Sequence, residues 1–381
     1  MTALRIAQIC SSRSWGGMEM HVAVVSEQLQ KRGHAVTVFC APDSSLEQDC
    51  RKRGIATAAF SPKGYFDPGA ILRFRKQVSE KRYDVLHVHY GKDLWSVVPA
   101  NRWSGVRPLV FIKHIGTQKP KRDPVHRYLY GHVDMLLAIS QVIAKNLADT
   151  HPIDKSKIRI LHHGVDLGLF ADLDEKRCQV RREWGVADDA LLVGTIGRLQ
   201  EGKGHLEFLD MAEAISREFP DIRFVIVGEP TRGEEERSRA IYEKAAPLQR
   251  LGRLQMPGFR SDIPAVLAAM DIFAFPSRAE AFGLVLIEAM AAAKAVVSTR
   301  SDGVLDIVEH NVNGLLFGLY QQTEFNDSVR ALILRKDLRD RLAQEGLHTV
   351  QTRFSMERML HDLETVYLEC SGLIEKKYSQ K

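Results

Sequence analysis

"IFAFPSRAEAFGLVLIEAMAAAKAVVSTR", residues 272–300, reads as a strand, a loop, a helix and a second strand. The flanking runs "IFAFPS" (272–277) and "AVVSTR" (295–300) are short, apolar and rich in strand formers. Between them Glu280 and Glu288 are separated only by Ala, Phe, Gly, Leu, Val and Ile. Their spacing places them about 80° apart on a helix, so they do not form a pair on one stripe. A helix that starts at or near Gly283 resolves the pattern. Glu280 then lies in a loop just ahead of the first turn, and Glu288 well inside the helix. Both can reach one polar ligand docked at the helix start, where unpaired backbone N–H groups favour an anion.

The same rhythm extends in both directions. Upstream come "LRIAQIC" (4–10), "AVTVFCA" (35–41), "VLHVHY" (85–90), "PLVFIKH" (108–114), "DMLLAIS" (134–140) and "IRILHHGV" (158–165), then "ALLVGTIG" (190–197), "RFVIVGE" (223–229) and "LQMPGF" (254–259). Amphipathic segments separate them, such as "MEMHVAVVSEQLQKRG", whose Gly33 reads as a helix C-cap. Continuous apolar strands spaced by helices imply parallel sheets covered on both faces, and two such series imply two Rossmann-like α/β domains. In sheets of this kind ligands bind beyond the carboxyl ends of the strands. The seam falls in "HHGVDLGLFADLDEKR" (162–177), which predicts domains at 1–166 and 167–354. A helical stretch over 355–381, apolar at helical spacing through "FSMERMLHDLETVYLEC" (354–370), is expected to cross back to the first domain.

The 381 residues make two domains the default. No apolar run reaches the length of a membrane-spanning helix, and the amino terminus lacks the pattern of a signal peptide. Five scattered cysteines without C-x-x-C spacing predict a reduced, cytoplasmic protein with no zinc site. Charge is uneven: residues 1–165 carry 25 Lys and Arg against 13 Asp and Glu, leaving 28 against 35 in the remainder. That asymmetry points the first half toward an anionic partner, with a merely solvated basic surface as the alternative.

Several strand-end loops could hold a ligand. Gly16 and Gly17 follow the first strand and let backbone approach a ligand, but no third glycine completes a dinucleotide fingerprint. "GRLQEGKG" (197–204) matches a P-loop through Gly197, Gly202 and Lys203, then fails at Gly204, where magnesium binding needs Ser or Thr. What remains is a loop with Arg198 and Lys203, suited to a diphosphate without an obligatory metal. His114 ends a strand, and position alone leaves packing and function both open. His87 and His89 alternate along one strand, with no third ligand at a suggestive spacing. Asp172 and Asp174 spell D-x-D in the charged seam, a setting that reads as surface charge.

Taken in order, these segments resemble retaining glycosyltransferases of the GT-B fold, in the group 1 (family 4) superfamily. The resemblance covers almost the whole chain. It rests on the double glycine, "GRLQEGKG", "GFRSDIPAVLAAMDIFAFPS" (258–277), the E-x7-E of Glu280 and Glu288, and "DIVEHNVNGLLF" (306–317). It implies two Rossmann-like domains facing across a cleft, the first binding an acceptor and the second a nucleotide-diphosphate sugar. It also implies roles. Arg198 and Lys203, with Gly197 opening their loop, would bind the donor diphosphate and stabilise the leaving charge. Glu288 would hold the ribose hydroxyls. Glu280 would lie near the donor sugar, with the N–H groups of Phe282, Gly283 and Leu284 on sugar hydroxyls or phosphate. Phe259 and Arg260 would approach the base. Gly16 and Gly17 would leave backbone room beside the diphosphate, and His114 would touch the sugar.

This chain departs from the family pattern at Ala281, at Ala293 and Ala295 where Gly and Pro are usual, at Asp302 for a usual glycine, at Asp306 for a usual glutamate and at His163 for a usual asparagine. The expected activity is sugar transfer to an acceptor hydroxyl with retention, in cell-envelope polysaccharide or lipopolysaccharide assembly. No cofactor beyond the donor substrate and no metal are expected. The expected acceptor is a glycan or lipid-linked molecule. The basic and aromatic stretch "KHIGTQKPKRDPVHRYLYGH" (113–132) suits it, or peripheral contact with an anionic membrane at its inner face. Nucleic acid is not an expected partner. The rival readings are a nucleotide-sugar epimerase or sugar-phosphate synthase on the same fold, a non-catalytic nucleotide-sugar binder, and a P-loop phosphotransferase.

Overall fold

A computed structural model describes residues 2–230, 233 and 235–372 of the chain. The end of the expected helix, residues 373–381, lies outside the described residues. The chain divides into two compact units: residues up to His162 joined by those from Met359 onward, and His163–Arg358.

Unit 1 is a seven-stranded sheet built from β1 (Arg5–Cys10), β2 (Ala35–Cys40), β3 (Ala56–Ala59), β4 (Val85–Val88), β5 (Leu109–Lys113), β6 (Met135–Ala138) and β7 (Ile158–Ile160). Its order is β3-β2-β1-β4-β5-β6-β7, and every neighbouring pair is parallel. Unit 2 contains β8 (Leu192–Ile196), β9 (Arg223–Val227), β10 (Leu254–Gly258), β11 (Ile272–Phe275), β12 (Ala295–Thr299) and β13 (Leu315–Phe317). These form a parallel sheet in the order β10-β9-β8-β11-β12-β13. Central strands are buried on both faces, as Ile6, Ala7, Ile9 and Cys10 in β1 and Ile272, Phe273 and Ala274 in β11 show, which is why they read as unbroken apolar runs. Two strands fall outside the expected set, and both lie at sheet edges. β3 is made of small, partly exposed residues (ATAA), and β13 is three residues long, so neither carries an apolar period.

Four helices bear on the strand ends and the unit 1 core: α1 (Gly17–Lys31), α2 (His205–Glu218), α3 (Leu284–Ala291) and α4 (Met356–Cys370). From Met359 onward α4 belongs to unit 1, as expected of the returning helix. Its buried Glu364 accepts hydrogen bonds from Arg32 Nε (2.7 Å) and Nη2 (2.8 Å) and lies 2.9 Å from His34 Nε2. Tyr367, also on α4, is fully buried beside His87 of β4. The five cysteines are all free. No helix among the described residues is long and apolar enough to cross a membrane.

α3 ends in a Schellman motif: Ala293 N–H donates to Met290 O and Lys294 N–H to Ala289 O, both at 3.0 Å. The motif drives Ala293 to φ +52°, a conformation that crowds Cβ against backbone. Replacing Ala293 with Gly removes that crowding and is expected to stabilise the protein by about 1 kcal/mol. The check is a higher urea midpoint at unchanged slope.

Candidate functional site

Strand order reverses direction twice in this chain, once in each sheet. In unit 2 the connections leave β8 toward β9 on one side and return to β11 on the other, so the loops after β8 and β11 diverge and leave a crevice at their carboxyl ends. Gly197, Arg198, Lys203 and Gly204 occupy the first of these loops, and Pro276–Gly283 the second. The two are stitched together: Arg278 N–H donates to Gly202 O at 2.8 Å, and Ser277 Oγ lies 3.5 Å from the same oxygen. A third loop joins them through Gly303 N–H, which donates to Glu280 O at 2.9 Å.

Gly204 caps α2 at φ +78°, and a Cβ there would lie 2.1 Å from Pro276 O. Ser or Thr therefore cannot occupy the eighth position, and the P-loop's metal-binding hydroxyl is excluded by packing. Lys203 Nζ donates to Glu280 Oε2 at 2.7 Å, a half-buried pair at the crevice. Ser277 Oγ lies 3.4 Å from the same carboxylate oxygen. Arg198 is exposed and has no ion-pair partner among the described residues. Its carbonyl is fixed instead, 2.8 Å from His205 Nε2.

Gly283 begins α3 at φ +99°, and no side chain caps that helix. Phe282 is buried and packs edge-on against His163 and Phe354, at 5.5 Å and 5.9 Å between ring centres. Leu284 is exposed at the first turn. Glu288 sits in the second turn, half-buried, and its carboxylate has no hydrogen-bond partner among the described residues. Burial raises its pKa to about 7. Phe259 is exposed beyond β10. The Arg260 guanidinium is already committed, to both Asp262 oxygens (2.8 and 2.7 Å) and to Glu183 (2.5 Å). Those bonds raise its pKa. Any approach of this segment to a base must therefore use its backbone or the Phe259 ring.

In unit 1 the order reverses between β1 and β4. Gly16 caps α1 in an extended conformation that any residue adopts, so neither it nor Gly17 is required by backbone strain. A Cβ on Gly17 would meet nothing within 4 Å, which leaves open space beside the backbone. His114, just past β5, is buried and lies 3.4 Å (Nε2) from His89 Nδ1. Sequence spacing offered His87 and His89 no third imidazole, yet folding brings His21 and His114 to His89, with one ring nitrogen from each within 4.8 Å of the others. The His87 ring stays 4.3 Å from that of His89, centre to centre, but does not join this group. Its Nδ1 is 2.7 Å from the Tyr367 hydroxyl, and burial holds its pKa at about 3. Gln8 bridges the two, with Nε2 3.2 Å from Tyr367 Oη and Oε1 2.7 Å from His89 Nε2. The acceptor oxygen of Gln8 makes Nε2 the protonated nitrogen of His89 and leaves Nδ1 to face His114.

Sequence reasoning passed over Ser277 and Arg278. Ser277 is fully buried two residues beyond β11, a position that could have marked it. Arg278 pairs with Glu207 at 2.5 Å and lies over the Tyr320 ring at 5.1 Å, partners too distant in sequence to be seen. Asp172 and Asp174 share a depression with Arg177 and Lys294, a charge-compensated surface setting.

Residues 177–349 match the family model described as glycosyl transferases group 1, and residues 15–169 match that described as glycosyltransferase family 4. A Nocardioides D-inositol 3-phosphate glycosyltransferase is 28% identical, with 92% of this chain and 85% of that protein covered. A glycosyltransferase structure from Rickettsia africae superposes with a TM-score of 0.86 at 23% identity, over 99% of this chain and 100% of the other. Anabaena Alr3699/HepE, solved with UDP, gives 0.83 at 22% identity over 95% and 99%. The two family matches together take in every strand but β1, and the chain belongs to the group 1 glycosyltransferases.

Proposed function

We propose that this glycosyltransferase moves a sugar from a nucleotide-diphosphate donor to an acceptor hydroxyl with retention at the anomeric carbon. The donor is held by residues 167–354, and the acceptor by residues 1–166 with the carboxyl-terminal segment 355–381. The observation that carries the reading is Glu288: a half-buried carboxylate without a partner, on the helix after the Lys203–Glu280 pair. Such a group is costly unless a ligand supplies donors, and two vicinal ribose hydroxyls do so.

Arg198 and Lys203 bind the diphosphate, with Gly197 opening their loop. Glu280 and the N–H groups of Phe282, Gly283 and Leu284 hold the sugar, and the Phe259–Arg260 segment adjoins the base. Gly16, Gly17 and His114 of the first unit complete the contacts to the diphosphate and sugar. Glu280 is not assigned as a nucleophile, because its carboxylate is already engaged by Lys203 and Ser277. The acceptor oxygen bonds the anomeric carbon on the face from which the phosphate departs. As the carbon–oxygen bond to the diphosphate breaks, that phosphate takes the acceptor's proton. Lys203 and Arg198 stabilise the charge that grows on the diphosphate, which is electrostatic catalysis by preorganised donors. Closure over the donor is the step that excludes water.

The acceptor is a glycan or lipid-linked molecule, and the enzyme works in the cytoplasm at the inner face of the cell membrane, in polysaccharide or lipopolysaccharide assembly. Support for an anionic acceptor comes from the excess of Lys and Arg in the first 165 residues and from relatives that are named for inositol 3-phosphate.

Lys203→Ala is expected to lower kcat/KM about 10²- to 10³-fold, the cost of removing one group that stabilises developing charge. Sugar release from a nucleotide-sugar panel measures it. Glu288→Ala is expected to weaken nucleotide binding at least about tenfold, since a hydrogen bond to a charged group is worth roughly 1.5–3 kcal/mol. In the wild type, the carboxyl that burial raises from 4.5 to about 7 favours the unliganded fold while protonated, and that contribution fades as pH rises through about 7. Ribose hydroxyls donate to the ionised form, so UDP or GDP affinity should strengthen across the same range. A flat calorimetric pH profile in the wild type, or one matched by Glu288→Gln, would remove Glu288 from the ribose role.

A further inference from the structure

In unit 1 the ends of β4 and β5 open onto a cavity of about 280 Å³. Its lining contains Lys92, Lys113 and Lys121 but no Asp or Glu. Lys113 closes β5 and is only partly exposed, yet no carboxylate among the described residues pairs with it, whereas Lys121 feels the charge of Asp123 two residues on. Asp93, beside Lys92 in sequence, is buried and turned inward to Ser11, whose N–H donates to it at 2.9 Å. A partly buried ammonium without a counter-charge is costly to keep. Burial first, and then Lys121, push Lys113 down to about 8. Neighbouring His151 is held at about 3, chiefly by burial and then by the charges of Lys113 and Lys121. The cavity therefore carries positive charge that Asp123 near Lys121 and Asp93 near Lys92 offset only in part, and at Lys113 no carboxylate offsets it.

The loop bearing Lys121 is fixed before any ligand arrives. Lys121 N–H donates to Thr150 O at 2.7 Å, while Thr117 N–H donates to Asn146 Oδ1 at 2.7 Å and Asn146 Nδ2 returns a bond to Thr117 O at 3.0 Å. The lining also holds aromatic faces. Tyr65 and Trp95 meet at 5.2 Å and 60°, and Lys92 lies over the Tyr65 ring at 5.4 Å. The volume sits at the lower end of the small-ligand range of roughly 300–1,000 Å³, which suits one substituted ring rather than a whole nucleotide sugar.

We propose that this cavity binds the acceptor as a phosphate monoester of a sugar or polyol ring, with Lys113 and Lys121 on the phosphate and Tyr65 and Trp95 beside the ring. Only the word acceptor rests on the glycosyltransferase reading; the phosphate site stands on the cavity itself. The same chemistry is offered by a free sugar phosphate and by a phosphoinositide-type lipid headgroup.

The test titrates the full chain, followed by tryptophan fluorescence, with glucose 6-phosphate, phosphatidylinositol 4-phosphate vesicles, methyl glucoside and inorganic phosphate. Glucose 6-phosphate or the vesicles should bind at least about tenfold tighter than methyl glucoside or inorganic phosphate. Lys113→Met and Lys121→Met should each lower that affinity about tenfold or more, as expected when one partner of a desolvated charge pair is truncated. Lys113→Arg should restore part of it. A response to the soluble ester alone identifies a free sugar phosphate, and one to the vesicles alone identifies a headgroup. UDP-induced thermal stabilisation, run in parallel, should survive in the lysine variants and be lost in Glu288→Ala, with the phosphate response reversed. Equal binding of methyl glucoside, no response to either phosphate ester, or indifference to both lysine substitutions overturns the proposal whether or not UDP binds. Loss of the UDP effect alone would count against the donor reading instead. Should a variant fail to fold, the comparison of ligands on the wild type still decides.

Discussion

Every polar group of interest in this protein is confined by one constraint: both sheets are parallel and covered by apolar side chains on both faces. Strands such as β1 and β11 offer no exposed face on which to build a site. Chemistry is left to the carboxyl ends of strands, and among those to the places where the strand order reverses. β8 and β11 mark that place in one sheet, and β1 and β4 in the other. Lys203, Glu280, Gly17 and His89 all lie within a few residues of these strand ends.

The two crevices differ in how charge is balanced. In unit 2 Lys203 is neutralised by Glu280 at 2.7 Å, so the loop holds a cation in place without leaving it uncompensated. Glu288 is the opposite case, a half-buried carboxylate left without donors among the described residues, and burial raises its pKa. In unit 1 the excess runs the other way, with three lysines around one cavity and no acid in its lining. The basic bias of the first 165 residues thus includes a concave, partly buried component, where charge acts on a ligand far more strongly than on an open surface.

The carboxyl-terminal helix reaches deep into this arrangement. Glu364 secures Arg32 and His34, and Tyr367 anchors a line of hydrogen bonds through Gln8 to His89 and a direct one to His87. The orientation of the histidines beside the first crevice therefore depends on a residue some 280 to 360 positions later in the chain than its partners. Removing one partner of a buried ion pair such as Glu364 with Arg32 typically costs about 3–5 kcal/mol, so α4 is part of the unit 1 core rather than an appendage.

Periodicity alone marked eleven of the strands, the start of α3 at Gly283 and the loop that carries Arg198 and Lys203, because parallel strands and helix caps are local patterns. It missed β3 and β13, whose edge positions free them from an apolar period. It also pointed to loops after strands, where Lys203, Glu280 and His114 lie, but passed over Ser277, Arg278 and His21. Their partners were not visible. Lys203 with Glu280, Arg260 with Glu183, the gathering of His21 and His114 around His89, and the acid-free lining shared by Lys113 and Lys121 are products of crossover connections. Two parallel α/β sheets, and the strand ends that carry polar groups, are legible along the chain because hydrophobic period and turn chemistry act over a few residues. Which of those groups are paired and which remain unbalanced is set by folding, because desolvation and ion pairing depend on neighbours that lie tens to hundreds of residues away.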